Sequence, residues 1–154
     1  MELVSERLIQ ASQEETWQAL NDAEILRVSI PGCTELVRNS DTQFAAKVTL
    51  KVGPIKANFA GKVDLTDIDA PNGYTLVGEG SGGIAGFAKG RAIVKLEAAG
   101  PTQTRLIYDV KADVGGKLAQ LGARLIESTS KKLADQFFQR FDEAVSHPVS
   151  AEAK

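Results

Sequence analysis

Two alternating runs joined by a Gly-Pro pair constrain the fold of this chain more than any other feature. In residues 43–52 apolar and polar side chains alternate, and after Gly53-Pro54 the alternation resumes over residues 55–66. A period of two places every second side chain on the same face of a β-strand, and glycine with proline favours a turn between strands. The two runs therefore predict a β-hairpin with one dry face and one wet face.

Turn residues divide most of the remaining chain into further strands. We expect strands over residues 2–10, 74–80, 88–97 and 104–114, and a period of two from Cys33 onward. Such closely spaced strands form an antiparallel meander. Ser12 followed by Glu15 predicts a capping box that opens a helix over residues 12–20, and a second short helical turn follows at residues 22–27.

A single long helical pattern closes the chain. After Gly115-Gly116, about thirty residues contain no proline. Apolar residues recur there at steps of three and four, which predicts one amphipathic helix that ends near Val145. The stripe consists of Leu118, Leu121, Leu125, Ile126, Thr129, Leu133, Phe137, Phe141 and Val145. We expect residues 147–154 to form a flexible tail.

One dry sheet face and one apolar helix stripe must bury each other. A chain of 154 residues suits one domain with one core. We therefore predict a single α+β domain over residues 1–146 with a helix-grip fold, in which a curved antiparallel sheet wraps round a long C-terminal helix. The two short helices between the first and second strands cover the part of the dry sheet face that the long helix leaves open.

Small side chains are frequent on the predicted dry face. Glycine and alanine in strand interiors provide few packing contacts. They are expected where the sheet bends sharply or where a ligand fills the space. For any single glycine the two explanations stay open, and together the small residues favour an apolar ligand cavity. The residues that we expect to line it are Phe44, Ala46, Ala57, Phe59, Gly61, Gly80, Ala88, Gly90, Tyr108, Leu118, Leu121, Leu125 and Thr129. The Tyr108 phenol could orient a ligand or be a core tyrosine bonded to backbone or water.

The charge and the rare residues exclude several classes of function. With 18 basic against 20 acidic residues the net charge is −2, so the chain lacks the basic excess that nucleic acid binding needs. One cysteine, Cys33, and one histidine, His147, provide neither a disulfide nor a Cys/His metal site. No apolar run approaches the length of a membrane span, and the expected compartment is the cytoplasm.

Two motifs resemble functional sites but lack the neighbouring elements or residues that those sites require. Residues 78–83 match G-x-G-x-x-G, but the dinucleotide-binding form needs a helix directly after it, and a strand is expected here. Cys33 has no histidine expected within reach. The sequence thus predicts no catalytic constellation.

Four lysines alternate onto the wet face of the hairpin: Lys47, Lys51, Lys56 and Lys62. Such residues usually form a solvated face that resists aggregation. A docking face for an acidic partner or for anionic headgroups is the alternative.

Several segments carry a resemblance to a known family. The helix segment at residues 128–138 is one of them, and four others follow the family in order: residues 30–33, 52–63, 86–92 and 115–122. Together they resemble the CoxG family of carbon monoxide dehydrogenase subunits across most of the chain.

The resemblance implies a START-like (SRPBCC) fold with a hydrophobic cavity and no covalent cofactor. It also implies partnership with the subunits of a molybdenum-containing dehydrogenase, a bound quinone or lipid, and a peripheral position at the inner membrane face. Many family members carry a linker and an apolar anchor after the folded domain, and residues up to Lys154 include neither.

Three functions follow as hypotheses. The first is a non-enzymatic accessory protein that binds a hydrophobic ligand, a quinone, for a molybdenum hydroxylase and helps recruit that enzyme to the membrane. The second is a structural assembly subunit whose core is filled by its own side chains. The third is an enzyme like the polyketide cyclases on the same fold, which would need convergent polar groups in its pocket.

Overall fold

The computed structural model describes residues 1–146, so the predicted tail at residues 147–154 lies outside the described residues. The described chain contains seven strands and three α-helices. Their bounds are β1 Glu2–Ile9, α1 Gln13–Leu20, α2 Ala23–Ser29, β2 Cys33–Ser40, β3 Gln43–Val52, β4 Ile55–Asp69, β5 Gly73–Ser81, β6 Phe87–Gly100, β7 Gln103–Gly115 and α3 Ala123–Ser146.

The seven strands form one antiparallel sheet in the order β1-β7-β6-β5-β4-β3-β2. From β2 to β7 each strand pairs with the next, as a meander requires. The helices α1 and α2 carry the chain from one edge strand to the other, and α3 packs against α2 and against both flanks of the sheet. The predicted α+β helix-grip fold is confirmed.

The capping box at the start of α1 forms as predicted. The Ser12 hydroxyl accepts a hydrogen bond from the Glu15 amide, and the Glu15 carboxylate accepts one from the Ser12 amide, both at 3.1 Å. Asp22 caps α2 in a similar way by accepting from the amides of Glu24 and Ile25. These caps satisfy helix amides that have no partner inside the helix.

The predicted start of the long helix is wrong. Residues Ala119–Leu121 form a separate 3₁₀ turn, and α3 begins only at Ala123. Gly122 lies between them with a φ of 92°, which is far outside the helical region. Leu118 and Leu121 therefore do not belong to the α3 stripe.

The core is concentrated where α1 and the second half of α3 meet the sheet. Ile9, Leu106 and Phe141 have at most 1% of their surface exposed. Thr104 is also fully buried, and its hydroxyl donates to the Ala11 carbonyl at 2.8 Å. This well-packed region holds the sheet against the helices.

Candidate functional site

Side-chain size changes along the inner face of the sheet. Near the β4–β5 turn, Tyr74, Val94 and Tyr108 stand side by side on three neighbouring strands. Three residues or more away along the strands lie two cross-strand rows of small residues. The first row is Ala46, Gly61, Gly80 and Ala88, and the second runs from Val63 through Gly78 and Gly90 to Ala112.

The glycines of these rows serve two purposes. A Cβ atom at Gly90 would lie 2.4 Å from the Lys111 carbonyl oxygen, so close strand approach requires a glycine there. At Gly80 the nearest atoms would be 3.6 Å away, which is ordinary contact distance. Sheet curvature therefore explains Gly90, whereas Gly80 leaves open space that a side chain could occupy.

Two connected apolar chambers lie between the sheet and α3. The first, which we call the glycine chamber, has a volume of about 580 Å³ and is open to solvent. The second, the tyrosine chamber, has a volume of about 450 Å³ and lies deeper, against Tyr74 and Tyr108. Ala46, Val63, Leu133, Ala134, Phe137 and Ile30 line both chambers, which makes them neighbouring parts of one cavity.

Nine of the thirteen predicted site residues line this cavity. Phe44 and Tyr108 line the tyrosine chamber, and Ala46 lines both chambers. The residues on the glycine chamber are Phe59, Gly61, Gly80, Ala88, Gly90 and Leu118. The remaining four, Ala57, Leu121, Leu125 and Thr129, line neither chamber.

The positions of Leu118 and Leu125 have clear causes. Leu118 reaches the cavity from the loop before α3, because its amide donates to the Ala85 carbonyl at 3.0 Å and holds it inward. Leu125 instead lies against the β3–β4 turn, where its side chain would be 2.9 Å from a Cβ atom at Gly53. The break at Gly122 is the reason that the stripe does not continue from α3 into Leu118 and Leu121.

The α3 residues that line the cavity are not the helix residues that the sequence predicts for the site. Leu133, Ala134 and Phe137 line both chambers from α3, and Ile30 with Pro31 contributes from the loop after α2. Leu133 and Phe137 belong to the predicted stripe, so their spacing of four residues is the signal that could have identified them. For Ile30 and Pro31 the sequence carries no such periodic signal.

Tyr108 is the polar group best placed to meet a ligand. Its ring stacks on Phe138 with centroids 5.2 Å apart, and the Arg7 guanidinium lies over the same Phe138 ring at 5.2 Å. Burial disfavours the charged form of Arg7, but its hydrogen bond to Asp135 and the neighbouring Tyr108 hydroxyl outweigh this and leave the pKa of Arg7 above its ordinary value. The Tyr108 hydroxyl beside Arg7 carries a proton that it can donate to a ligand.

The other hydroxyls of the tyrosine chamber already have protein partners. Tyr74 donates to the Leu20 carbonyl at 3.4 Å, and Ser130 donates to the Ile126 carbonyl at 2.8 Å. Burial raises the pKa of Tyr74 far above its ordinary value, so this phenol stays neutral. Lys62, Glu79 and Lys89 border the glycine chamber, but their side chains alternate onto the outer face of the sheet.

The remaining candidates for chemistry do not form a reactive site. Burial raises the pKa of the Cys33 thiol, which also lies within 3.4 Å of the Glu35 carbonyl oxygen, so the reactive thiolate is disfavoured. Residues 78–83 form the end of β5 and a short 3₁₀ turn that leads into β6, without the helix that dinucleotide binding needs. Within residues 1–146 there is no cluster of three metal-binding side chains.

Nor does any α-helix in the described part of the chain combine the length and the apolar character that crossing a bilayer requires.

Solved structures share this architecture. A conserved protein from Geobacillus kaustophilus is 27% identical, with 95% of each chain covered and a TM-score of 0.89. The Zhui aromatase/cyclase from Streptomyces sp. R1128 is 12% identical, with 97% of this chain and 95% of that chain covered and a TM-score of 0.66. A START superfamily protein from Mycobacterium smegmatis is 16% identical, with 92% and 97% covered and a TM-score of 0.63.

These likenesses establish a START-like fold, which the sequence resemblance also implies. No curated protein matches the chain in a sequence comparison. The family model for the carbon monoxide dehydrogenase subunit CoxG matches residues 6–146, which include both chambers apart from Met1 and Leu3. The fold, the cavity and this match over nearly the whole described chain lead to one conclusion: the protein belongs to the CoxG family.

Proposed function

We propose that this protein is a non-enzymatic accessory protein of a molybdenum hydroxylase of the carbon monoxide dehydrogenase type. It binds a hydrophobic ligand, a quinone, between the sheet and α3, and it helps recruit the enzyme to the membrane. The observation that carries the proposal is the apolar cavity, which extends from the open glycine chamber to the buried tyrosine chamber.

The size of the cavity supports a ligand over a filled core. Chambers of about 580 and 450 Å³ fall within the range of roughly 300–1,000 Å³ that small-molecule sites occupy. A structural subunit that filled its own core would leave much less space, because protein interiors are close-packed. Withdrawal of apolar ligand surface from water would contribute roughly 25 cal/mol per Å².

The polar groups of the cavity suit a carbonyl-bearing apolar molecule. A quinone has carbonyl oxygens that accept hydrogen bonds and a hydrocarbon body that needs an apolar wall. Tyr108, which lies beside Arg7, supplies a donor, while Phe44, Leu133 and Phe137 supply such a wall. A lipid with a carbonyl group has the same chemistry, and competition between the two ligands would separate them.

The few polar groups that line the cavity argue against an enzyme of the cyclase kind. Acid–base catalysis needs a titratable group within hydrogen-bond reach of the substrate. Of the three hydroxyl residues on the tyrosine chamber, Tyr74 and Ser130 bond to backbone carbonyls. Tyr108 alone is a weak basis for catalysis, and we therefore assign the redox chemistry to the partner enzyme.

Family membership supports the partner, since the family is described by its place as a carbon monoxide dehydrogenase subunit. In this proposal the protein presents its quinone to the redox centre of the enzyme. Co-purification of the two proteins, and faster quinone reduction by the enzyme when this protein is added, are the expected results. An enzyme whose quinone reduction is unaffected would contradict the partnership.

Ligand binding can be measured with the one tryptophan of the chain. Trp17 contacts Tyr74 with ring centroids 5.2 Å apart, and Tyr74 lines the tyrosine chamber. A quinone with a short isoprenoid tail is expected to quench Trp17 fluorescence in a saturable titration. Native mass spectrometry should then show a complex with one quinone per chain.

The variant Trp17→Phe is the control, because it lacks the fluorescent reporter but keeps the chamber walls. Its complex with the quinone should persist in native mass spectra while the fluorescence signal disappears. No saturable quenching by the wild-type protein, together with empty protein in the mass spectra, would contradict the carrier role.

A further inference from the structure

Charge is distributed unevenly along the strand axis. Four connecting segments lie at the end of the sheet beside the glycine chamber: residues 28–34, 51–56, 82–87 and 115–126. They contain the cations Lys51, Lys56, Lys117 and Arg124 and no acidic residue. Within residues 1–146 none of the four cations takes part in an ion pair. We call this surface the basic rim.

The opposite end of the sheet has the reverse composition. Its connecting segments are residues 10–16, 39–43, 67–73 and 97–103, and they contain no basic residue. Their acidic residues are Glu14, Glu15, Asp41, Asp67, Asp69 and Glu97. A chain with a net charge of only −2 therefore has a positive end beside the glycine chamber and a negative end at the other end of the strands.

The carboxylates nearest to the basic rim are already opposed by cations. Glu127 pairs with Lys131 at 3.1 Å, and Asp113 stands opposite Lys89 in the β6–β7 register. The four rim cations are themselves exposed to solvent. Basic groups in this situation attract anionic surfaces, and salt weakens the attraction.

An apolar side chain projects from the middle of this basic rim. Ile84 lies on the 3₁₀ turn Gly83–Ala85 and is 85% exposed, the highest value among the exposed large apolar residues. The turn itself is held firmly, because Ala85 is buried and its carbonyl accepts from the Leu118 amide at 3.0 Å. The turn therefore presents Ile84 to its surroundings from a fixed base.

From this arrangement we infer that the basic rim docks on an anionic lipid bilayer, with Ile84 inserted among the headgroups and the four cations against the phosphates. Exposed apolar residues flanked by lysine and arginine are the pattern by which proteins attach to membrane interfaces. The inference rests on the proposed function in one respect: docking would bring the glycine chamber close to the phase in which a quinone dissolves.

An acidic protein partner fits these observations less well. Charge alone would suit either partner, but the rim segments also expose the apolar side chains of Ile84, Phe87 and Val28, for which an acidic protein surface offers no complement. The interface of a bilayer takes up basic and apolar side chains together and needs no matching shape. We therefore assign the basic rim to lipid.

The test is a flotation assay with the full chain and two kinds of vesicle. Vesicles of phosphatidylcholine mixed with phosphatidylglycerol should bind the protein at low salt and release it at high salt, and vesicles of pure phosphatidylcholine should bind it poorly. The double variant Lys51→Gln/Lys56→Gln should weaken binding by roughly fivefold for each lysine removed. The matched control Lys47→Gln/Lys62→Gln removes two lysines from the same hairpin away from the rim and should bind like the wild type.

A second pair of variants tests the apolar contact. Ile84→Ser should reduce vesicle binding, whereas Ile68→Ser should not, because Ile68 is 46% exposed but lies between Asp67 and Asp69 at the acidic end. Absence of vesicle binding, equal effects of rim and control variants, or binding to polyglutamate in preference to vesicles would each overturn the inference.

A quinone titration of the same variants separates this inference from the proposed function. Quinone binding without vesicle binding would leave the ligand proposal standing and reject the docking surface. Vesicle binding without quinone binding would do the opposite.

Discussion

The two ends of the inner sheet face are built from different side chains. At the end covered by α1, Ile9 and Leu96 of the sheet are buried in one cluster with Phe141 of α3. At the other end Gly61, Gly78 and Gly80 line the glycine chamber, with Leu133 and Phe137 of the same helix on the opposite wall. One sheet and one helix thus form a packed end and a cavity end.

The difference indicates that one end of the inner sheet face provides stability and the other end provides ligand binding. Close packing at one end holds the sheet against α3 and contributes most of the hydrophobic stabilisation. Because the packed end stabilises the fold, the cavity end can contain small side chains that leave space for a ligand. Substitutions should therefore affect stability at the packed end and ligand affinity at the cavity end.

The largest effect is expected at the centre of the packed end. Phe141→Ala removes a ring with 0% exposure and should lower the free energy of unfolding by about 3–5 kcal/mol. Phe137→Ala should cost distinctly less, because this ring already borders both chambers. Urea unfolding of the two variants checks the comparison, and equal losses would break it.

A glycine pair tests the same comparison within the cavity end. Gly90→Ala should destabilise the fold by about 1–3 kcal/mol, because its Cβ atom would meet backbone 2.4 Å away. Gly80→Ala should be neutral or stabilising by about 0.4–1 kcal/mol, since the methyl group fits and the unfolded chain loses freedom. Thermal unfolding measures both variants, and similar behaviour would show that curvature accounts for both glycines.

Tyr108 lies between the two ends and should contribute to both roles. Tyr108→Phe keeps the ring against Phe138 but removes the hydroxyl beside Arg7. We expect quinone affinity to fall by about 1 kcal/mol, or roughly fivefold, with little change in unfolding. Unchanged affinity in the Trp17 titration would make Tyr108 a core residue only.

The smallest effect concerns the cap of α1 at the packed end. Hydrogen bonds from the Ser12 backbone and side chain lower the pKa of the Glu15 carboxyl. A lowered pKa in the folded state means that this contribution to stability is present above the unfolded pKa and is lost as the pH falls through the folded value. The wild type should therefore exceed Glu15→Gln in stability at neutral pH, and the gap should close in acid. A gap independent of pH in urea unfolding would contradict this.

Much of the fold follows from the sequence because the pattern repeats. The strands over residues 43–52 and 104–114 alternate strictly, and Ser12 with Glu15 specifies a helix start. The predicted start of α3 is wrong because apolar spacing continues through Gly122, while the backbone there turns to a φ of 92°. Local spacing cannot reveal that Leu118 is bonded to Ala85, a residue distant in sequence.

The site could be predicted for the sheet better than for the helix and loops. Gly61, Gly80 and Ala88 share a face by alternation alone, and their alignment across strands follows from the meander. Ile30 and Pro31 reach the cavity only because α2 packs on α3, which is a tertiary contact. Sequence spacing also could not separate Gly90, which curvature requires, from Gly80, which leaves space.

The most direct test of the central claim fills the cavity end without disturbing the packed end. Gly80→Val should place a side chain in the glycine chamber, and Ser81→Val places the same side chain on the outer face of the same strand. The measurement is quinone affinity from Trp17 quenching, with urea unfolding of both variants alongside. We predict that Gly80→Val stays folded and loses quinone affinity by at least tenfold, while Ser81→Val binds like the wild type. A folded Gly80→Val variant that binds quinone as tightly as the wild type would contradict the account.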